Sequence, residues 1–172
     1  MFGINDTVVY GTEGICVIVD ITEKIFDLNT QQYYVLRPVY NKSSLIMVPT
    51  GNELFVSRMK RSLSEAEANA CIASMPDQAE VDWVEDEKKR KSEYRQIILR
   101  GDRRELVSLI KALHSHAKKQ KSIGKKVHAC DEKLSKEAER LLYEEFASAL
   151  KMDKESAFLY IASKIGTSGI DA

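Results

Sequence analysis

The chain has 172 residues, 44% hydrophobic and 30% charged, enough for one domain or two small ones with packed cores. Its net charge of zero hides a division: residues 84–126 carry fourteen basic and six acidic side chains, whereas residues 61–83 carry one and five. The three cysteines, Cys16, Cys71 and Cys130, are odd in number and share no spacing, which argues against a disulfide framework and for a reducing compartment. No apolar run approaches the roughly 20 residues of a membrane span, and the N-terminus lacks a basic start followed by an apolar stretch. A cytoplasmic protein without membrane association is expected.

The first 60 residues read as strands. Residues 7–11 are short and β-branched. In residues 15–21 the odd positions Ile15, Val17, Val19 and Ile21 are all apolar, a period of two. Asp27-Leu28-Asn29-Thr30 reads as a turn, and residues 32–39 as the next strand. Asn41-Lys42-Ser43-Ser44 is a second turn. Residues 45–48 form a fourth strand stopped by Pro49, and a short run, 54–57, follows the break at Thr50-Gly51-Asn52. Strands joined by tight turns give a meander, and at this length its stable form is a small twisted barrel of SH3-like or Tudor-like kind. Pro38 cannot donate to a ladder, so its strand is an edge there or carries a bulge.

From Ser62 the period becomes helical. Ser64-Glu65-Ala66-Glu67 has capping-box spacing and starts a helix to about Ser74, ended by Met75-Pro76-Asp77. Residues 78–82 are an acidic link. A helix is predicted over 85–100, stopped by Gly101. Asp102-Arg103-Arg104-Glu105 is read as a second capping box, opening a helix to about 116–119 with the stripe Leu106, Leu109, Ile110 and Leu113. Residues 118–126 read as a basic loop around Gly124. Two more helices follow, over 131–151 and from Asp153 to about 165, and the tail from about 166 is expected to fray. The fold class is therefore α+β: a small β-barrel over 1–60 and an all-α bundle of about five helices over 61–172.

No nucleophile elbow, P-loop, dinucleotide fingerprint or H-E-x-x-H motif is present, so no enzyme activity and no cofactor are expected. His114 and His116, with His128 and Cys130, flank the basic loop, but neither pair has zinc-ligand spacing. Cys71 reads as a buried thiol. The basic segment carries more information. With Tyr94, Ile97 and Ile98 buried, Lys88, Lys89 and Arg95 face solvent or a ligand, while Arg90 and Lys91 flank the stripe with stems free to snorkel outward. Arg103 and Arg104 sit at a helix N-terminus, where the macrodipole prefers acids, which favours an anionic partner. Lys118, Lys119, Lys121, Lys125 and Lys126 form a second cluster. If both share a face they make a phosphate-binding surface with no base-reading motif; the alternative is a solvated helix face. Trp83, the only tryptophan, is either an anchor for the linker or an apolar wedge beside basic residues.

Asp6-Thr7-Val8-Val9-Tyr10, Gly14, Tyr33-Tyr34-Val35-Leu36 and Val48-Pro49 together resemble the CarD-like (CarD/CdnL) family of bacterial RNA polymerase-binding transcription regulators. The strand motif is shared with the polymerase-interacting module of transcription-repair coupling factors. The tryptophan, basic helix, Gly101-Asp102, apolar stripe and basic loop resemble the CarD-like branch, in a form similar to that of clostridia-like Firmicutes.

The resemblance implies a monomeric, non-catalytic regulator. Its β-domain would dock by strand addition on the lobe of the RNA polymerase β subunit. Its helical domain would contact promoter DNA, mainly the phosphate backbone and minor groove, at the upstream edge of the bubble. Trp83 would wedge into the minor groove and stabilise the open complex without sequence-specific readout. By position, Lys24, Phe26, Ile46 and Met47 would face the polymerase. Trp83, Lys88, Lys89, Arg95, Arg103, Arg104, Lys118, Lys119, Lys121, Lys125 and Lys126 would face DNA. Met47 stands where the family often has arginine, which makes the dock more apolar. Trp83 lies about three residues farther from the Gly-Asp stop than in better-known members, with Glu85-Asp86-Glu87 intervening. Two other readings stay open: a polymerase-binding factor whose helical domain contacts another protein, and a free-standing nucleic-acid-binding module.

Overall fold

The computed structural model describes residues 1–26 and 29–165. The chain divides into two compact units, Met1–Leu63 and Ser64–Ala172.

In the first unit, β1 (Thr7–Tyr10), β2 (Gly14–Phe26), β3 (Asn29–Pro38), β4 (Ile46–Pro49) and β5 (Met59–Arg61) form one antiparallel sheet. Its order is β4-β3-β2-β1-β5. The core is Val8, Cys16, Ile18, Tyr34, Leu36, Val48 and Met59, flanked by Phe2, Tyr10, Ile21, Ile46 and Val56. This is the α+β, Tudor-like arrangement that the alternation of the first 60 residues predicts.

Three local readings change. The odd positions of 15–21 are not a single inward set. The β2–β3 register skips between Ile18 and Asp20, so Val19 is an extra residue. Cys16 and Ile18 face the core before this bulge and Ile21 after it. Residues 54–57 are not a strand: α1 (Glu53–Val56) forms there because the Asn52 side chain accepts from the amides of Leu54 and Phe55. Asn29 and Thr30 belong to β3, while Asp27 and Leu28 of the expected turn lie outside the described residues. The sequence reading also missed β5, which pairs with β1 across residue 60 and carries this unit to Leu63.

Pro38 fits a central strand because its neighbour has ended. The Val39 amide donates to the Ile15 carbonyl, so the Pro38 nitrogen points the other way. On that side the last pair is Leu36 with Ile46, and no ladder bond is lost.

Among the described residues the second unit holds five helices: α2 (Glu65–Ser74), α3 (Glu87–Arg100), α4 (Arg103–Ser122), α5 (Ala129–Ala149) and α6 (Lys154–Ile165). Ser64 and Glu67 form the predicted capping box. Gly101 ends α3 in the left-handed region at φ 59°, where a side chain would be strained. Asp102 then caps α4 from Arg104 and Glu105, but Glu105 pairs with Arg100 instead of closing a box. The α4 stripe is buried at all four predicted positions, and Leu134, Ala138, Leu141, Leu142 and Phe146 bury the matching face of α5. The basic loop is shorter than predicted, since α4 runs on to Ser122. Lysine and glutamine are good helix formers and nothing before Gly124 breaks the helix. The tail from 166 lies outside the described residues. No helix among the described residues is long and apolar enough to cross a membrane.

Candidate nucleic-acid interface and free strand edge

The acidic link before α3 is tied along α4. Gln78 donates to the Arg104 carbonyl and to Ser108 Oγ, at 2.5 and 3.2 Å. The Val81 amide donates to the Ser108 carbonyl, and Ser115 Oγ donates to Glu80. Lys111 Nζ donates to the carbonyls of Met75, Pro76 and Gln78. This path delivers Trp83 to the start of α3.

Trp83 is half-buried there. The His116 ring stacks on it, with centroids 3.6 Å apart and planes 7° from parallel. The Arg90 guanidinium lies over the ring at 4.7 Å, and Tyr94 meets it edge-on at 6.1 Å. Tyr94 Oη donates to the Asp82 carbonyl and accepts from the Val84 amide. The geometry is that of the linker anchor, and the groups that hold the ring come from α3 and α4.

Arg90 is the centre of this cluster, and it corrects the snorkelling expectation. It shares the buried stripe with Tyr94 and Ile98, at intervals of four, and is only 6% exposed. Its Nε and Nη2 donate to the two carboxylate oxygens of Asp131 at 2.9 and 3.2 Å. Its Nη1 donates to the carbonyls of Val84 and Glu85. Asp131, 4% exposed, lies in the first turn of α5, where a carboxylate also meets the positive end of the helix dipole. The pair is bidentate and sealed, a geometry that guanidinium suits better than ammonium.

Burial, with the nearby Arg90 and Lys119 charges, holds the His116 imidazole below its ordinary value, against the opposing pull of Asp131 and Glu85. With a folded pKa below the unfolded one, the unfolded chain takes up the proton first as pH falls. The contribution is therefore complete above the ordinary imidazole pKa of about 6.5 and is lost as pH falls through and below it. The urea midpoint of the helical unit, followed by circular dichroism, is expected to drop between about pH 7.5 and about pH 5.5. His116→Phe is expected to reduce that drop; an equal drop in the variant would assign it to other groups.

Four of the five arginines between 84 and 126 pair with carboxylates of this chain, two of them on its surface. Besides Arg90, Arg95 pairs with Glu137, Arg100 with Glu105 and Arg103 with Glu145. Glu145 is buried, and Arg103 Nε donates to it at 3.0 Å. Arg103 at the α4 N-terminus is therefore compensated by a carboxylate of this chain. That removes the unfavourable placement from which an anionic partner is expected. Arg104 is exposed and makes no ion pair among the described residues.

The lysines behave differently. The Trp83–His116 stack, the Arg90–Asp131 pair and a 3.4 Å Glu87–His128 contact bring together the start of α3, the last turns of α4 and the start of α5. Lys88, Lys89, Lys118, Lys119, Lys121, Lys125 and Lys126 all lie at this end, and all are exposed. Lys89 pairs with Glu93 at 3.7 Å; the other six make no ion pair among the described residues. Arg103 and Arg104 lie at the opposite end of α4, about 22 Å away at 1.5 Å per residue. The predicted basic site is therefore divided: the lysines converge, while Arg103 and Arg104 do not join them. Asp86 and Glu87 share the lysine end, where Asp86 caps α3. Among the described residues no group of three or more His, Cys, Asp or Glu is placed to hold a metal.

In the β-unit, β4 is an edge strand. The Thr50 amide donates to the Gln32 carbonyl, and Pro49, paired with Tyr33, has no amide to give. By alternation, Ile46 and Val48 bond toward β3, whereas the N–H and C=O of Met47 point out of the sheet edge. Met47 is also 36% exposed. The other polymerase-facing candidates differ. Ile46 packs its side chain against the core beside Val48, two residues on, which corrects its expected outward role. Lys24 is exposed on the part of the β2–β3 ribbon that extends past β4, about 13 Å along the strand from the row of Met47. The Phe26 side chain lies outside the described residues.

These features define an α+β protein of two units, a Tudor-like β-domain with a free strand edge followed by a helical bundle with a lysine-rich end. Residues 2–59, about a third of the chain, match the family model of the CarD-like/TRCF RID domain, so the β-unit carries a domain of CarD-like kind and the match stops short of the helices. No curated protein matches the chain.

Sequence reasoning missed Arg90 and Asp131. The signal for Arg90 was its place four residues before Tyr94 in the stripe; nothing local pointed to Asp131.

Proposed function

We propose that this chain is a non-catalytic, monomeric transcription regulator of the cytoplasm. Its β-unit adds the β4 edge to the lobe of the RNA polymerase β subunit. Its lysine end grips promoter DNA at the upstream edge of the bubble and stabilises the open complex. The observation that carries the DNA contact is the convergence at one end of the bundle of six lysines that make no ion pair among the described residues, whereas most arginines of the same segment pair with carboxylates of this chain. Lysines in that state neutralise phosphates without selecting bases, so no operator sequence is needed.

The test is open-complex lifetime on a defined promoter with the Lys118→Glu, Lys121→Glu and Lys125→Glu triple variant. The lifetime is expected to fall to that seen without the protein. Removing three phosphate contacts also makes the slope of log K against log salt shallower by about three. Glu85, Asp86 and Glu87 at the same end support a second reading, in which the helical unit binds another protein. That reading gains if the triple variant binds polymerase and leaves the lifetime unchanged.

A further inference from the structure

The α5–α6 seam holds a cleft of about 420 Å³ that neither the phosphate grip nor the strand edge uses. Tyr143, at its floor, lies about 21 Å along α5 from the start of that helix at the lysine end. Lys136, Arg140 and Tyr143 line the cleft from one face of α5, at intervals of four and three, and Lys154 and Phe158 line it from α6, at an interval of four. The Tyr143 and Phe158 rings meet edge to face with centroids 5.5 Å apart, and both are half-buried. On the rim, Arg140 and Lys154 donate to Glu144 at 3.3 and 2.8 Å, and Glu144 is 4% exposed. The ring pair and this clamp account for how α6 is held on α5. Two donors are left over. The Tyr143 hydroxyl makes no hydrogen bond among the described residues, and Lys136 is exposed and makes no ion pair among them. Burial, with the nearby Glu139 carboxylate, pushes the Tyr143 phenol above its ordinary value, so its hydroxyl stays a donor. Glu139 is engaged elsewhere: its Oε1 accepts from Ser135 at 2.7 Å and lies 2.5 Å from His114 Nε2.

We infer that this cleft docks a short acidic segment of a protein partner, which sets a carboxylate on Lys136 and a large apolar side chain on the Tyr143–Phe158 rings, with a backbone carbonyl accepting from the Tyr143 hydroxyl. Charge selects the acid. With Glu144 sealed and Glu139 half-buried, a partner meets three exposed cations, Lys136, Arg140 and Lys154, against one exposed carboxylate, Glu155. The floor selects the apolar residue, since a concave aromatic surface with a few placed donors is where a peptide anchor buries. Phosphates alone would leave that floor uncovered. Spacing sets the order. Lys136 and Tyr143 are seven residues apart, about 10.5 Å along the helix, which an extended segment spans in about three residues. The segment therefore carries its acid three positions from its apolar anchor. This surface is separate from the lysine end and does not depend on the DNA contact.

The experiment presents the immobilised full chain with random dodecapeptides displayed on phage. Enrichment of sequences with Asp or Glu three positions from a large apolar residue is expected, and a synthetic peptide of that consensus is then titrated by fluorescence anisotropy. Tyr143→Phe is expected to weaken its binding about fivefold and Lys136→Glu about tenfold, with unfolding midpoints unchanged. Tyr143→Phe decides between docking and a purely structural role, because the hydroxyl it removes has no bond within the described fold to lose. The triple variant Lys118→Glu, Lys121→Glu and Lys125→Glu is expected to bind the peptide as the native chain does, which keeps failure of this surface apart from failure of the DNA contact. No enriched peptide, a basic consensus, a consensus peptide whose affinity survives Tyr143→Phe or Lys136→Glu, or one that the triple variant no longer binds, overturns the proposal.

Discussion

Asp131→Ala is expected to cost the helical unit about 3–5 kcal/mol, the largest stability loss of any single substitution considered for it. The reason is asymmetry. Removing the carboxylate does not release Arg90 to water, because its guanidinium is enclosed by α3, the link before it and the first turn of α5. The Val84 and Glu85 carbonyls remain, but they carry no compensating charge. A domain of this size has a total stability of roughly 5–15 kcal/mol, so the variant is expected to unfold at markedly lower urea concentration. Replacing both partners, Arg90→Met with Asp131→Leu, is expected to restore most of the loss, since no buried charge is then left alone. Unfolding curves from far-ultraviolet circular dichroism for the three variants settle the matter. A double variant as weak as Asp131→Ala would show that packing, not the unpaired charge, sets the cost.

Met47→Pro is expected to weaken polymerase binding by about tenfold to a hundredfold and leave the β-unit folded. The amide of Met47 is the outward donor of the β4 edge, and proline is tolerated where a strand's amide faces away from the sheet. Strand addition places that donor against a partner carbonyl, and a buried acceptor left without its donor costs about 1–3 kcal/mol. Met47→Ala retains the amide and is expected to lose only the side-chain contact. The comparison between the two variants, by surface-immobilised polymerase binding, isolates the backbone. Equal affinities would place the docking surface elsewhere, with the exposed Lys24 on the β2–β3 ribbon the next position to change.

What was legible in the sequence was local. The Ser64–Glu67 box, the Gly101 stop and the α4 stripe each follow from residues within a turn or two of one another, and the chain adopts them as read, while Asp102 caps α4 without the box read for it. The misreadings depend on distant partners. Val19 is an extra residue only because Leu36 and Val35 pair with its neighbours. Arg90 turns inward only because Asp131, 41 residues later, meets it. The lysines are legible as a composition, but not their meeting place, which is set by Trp83 on His116 and Arg90 on Asp131. Arg103 was misjudged for the same reason, since Glu145 lies 42 residues away.

The Trp83–His116 stack makes the chain its own optical reporter. The single tryptophan lies in the helical unit, whereas the β-unit holds Tyr10, Tyr33, Tyr34 and Tyr40 and no tryptophan. Indole emission therefore reports on the junction of α3, α4 and α5. Occupation of the lysine end or loosening of the Arg90 pair is expected to change that emission without any label.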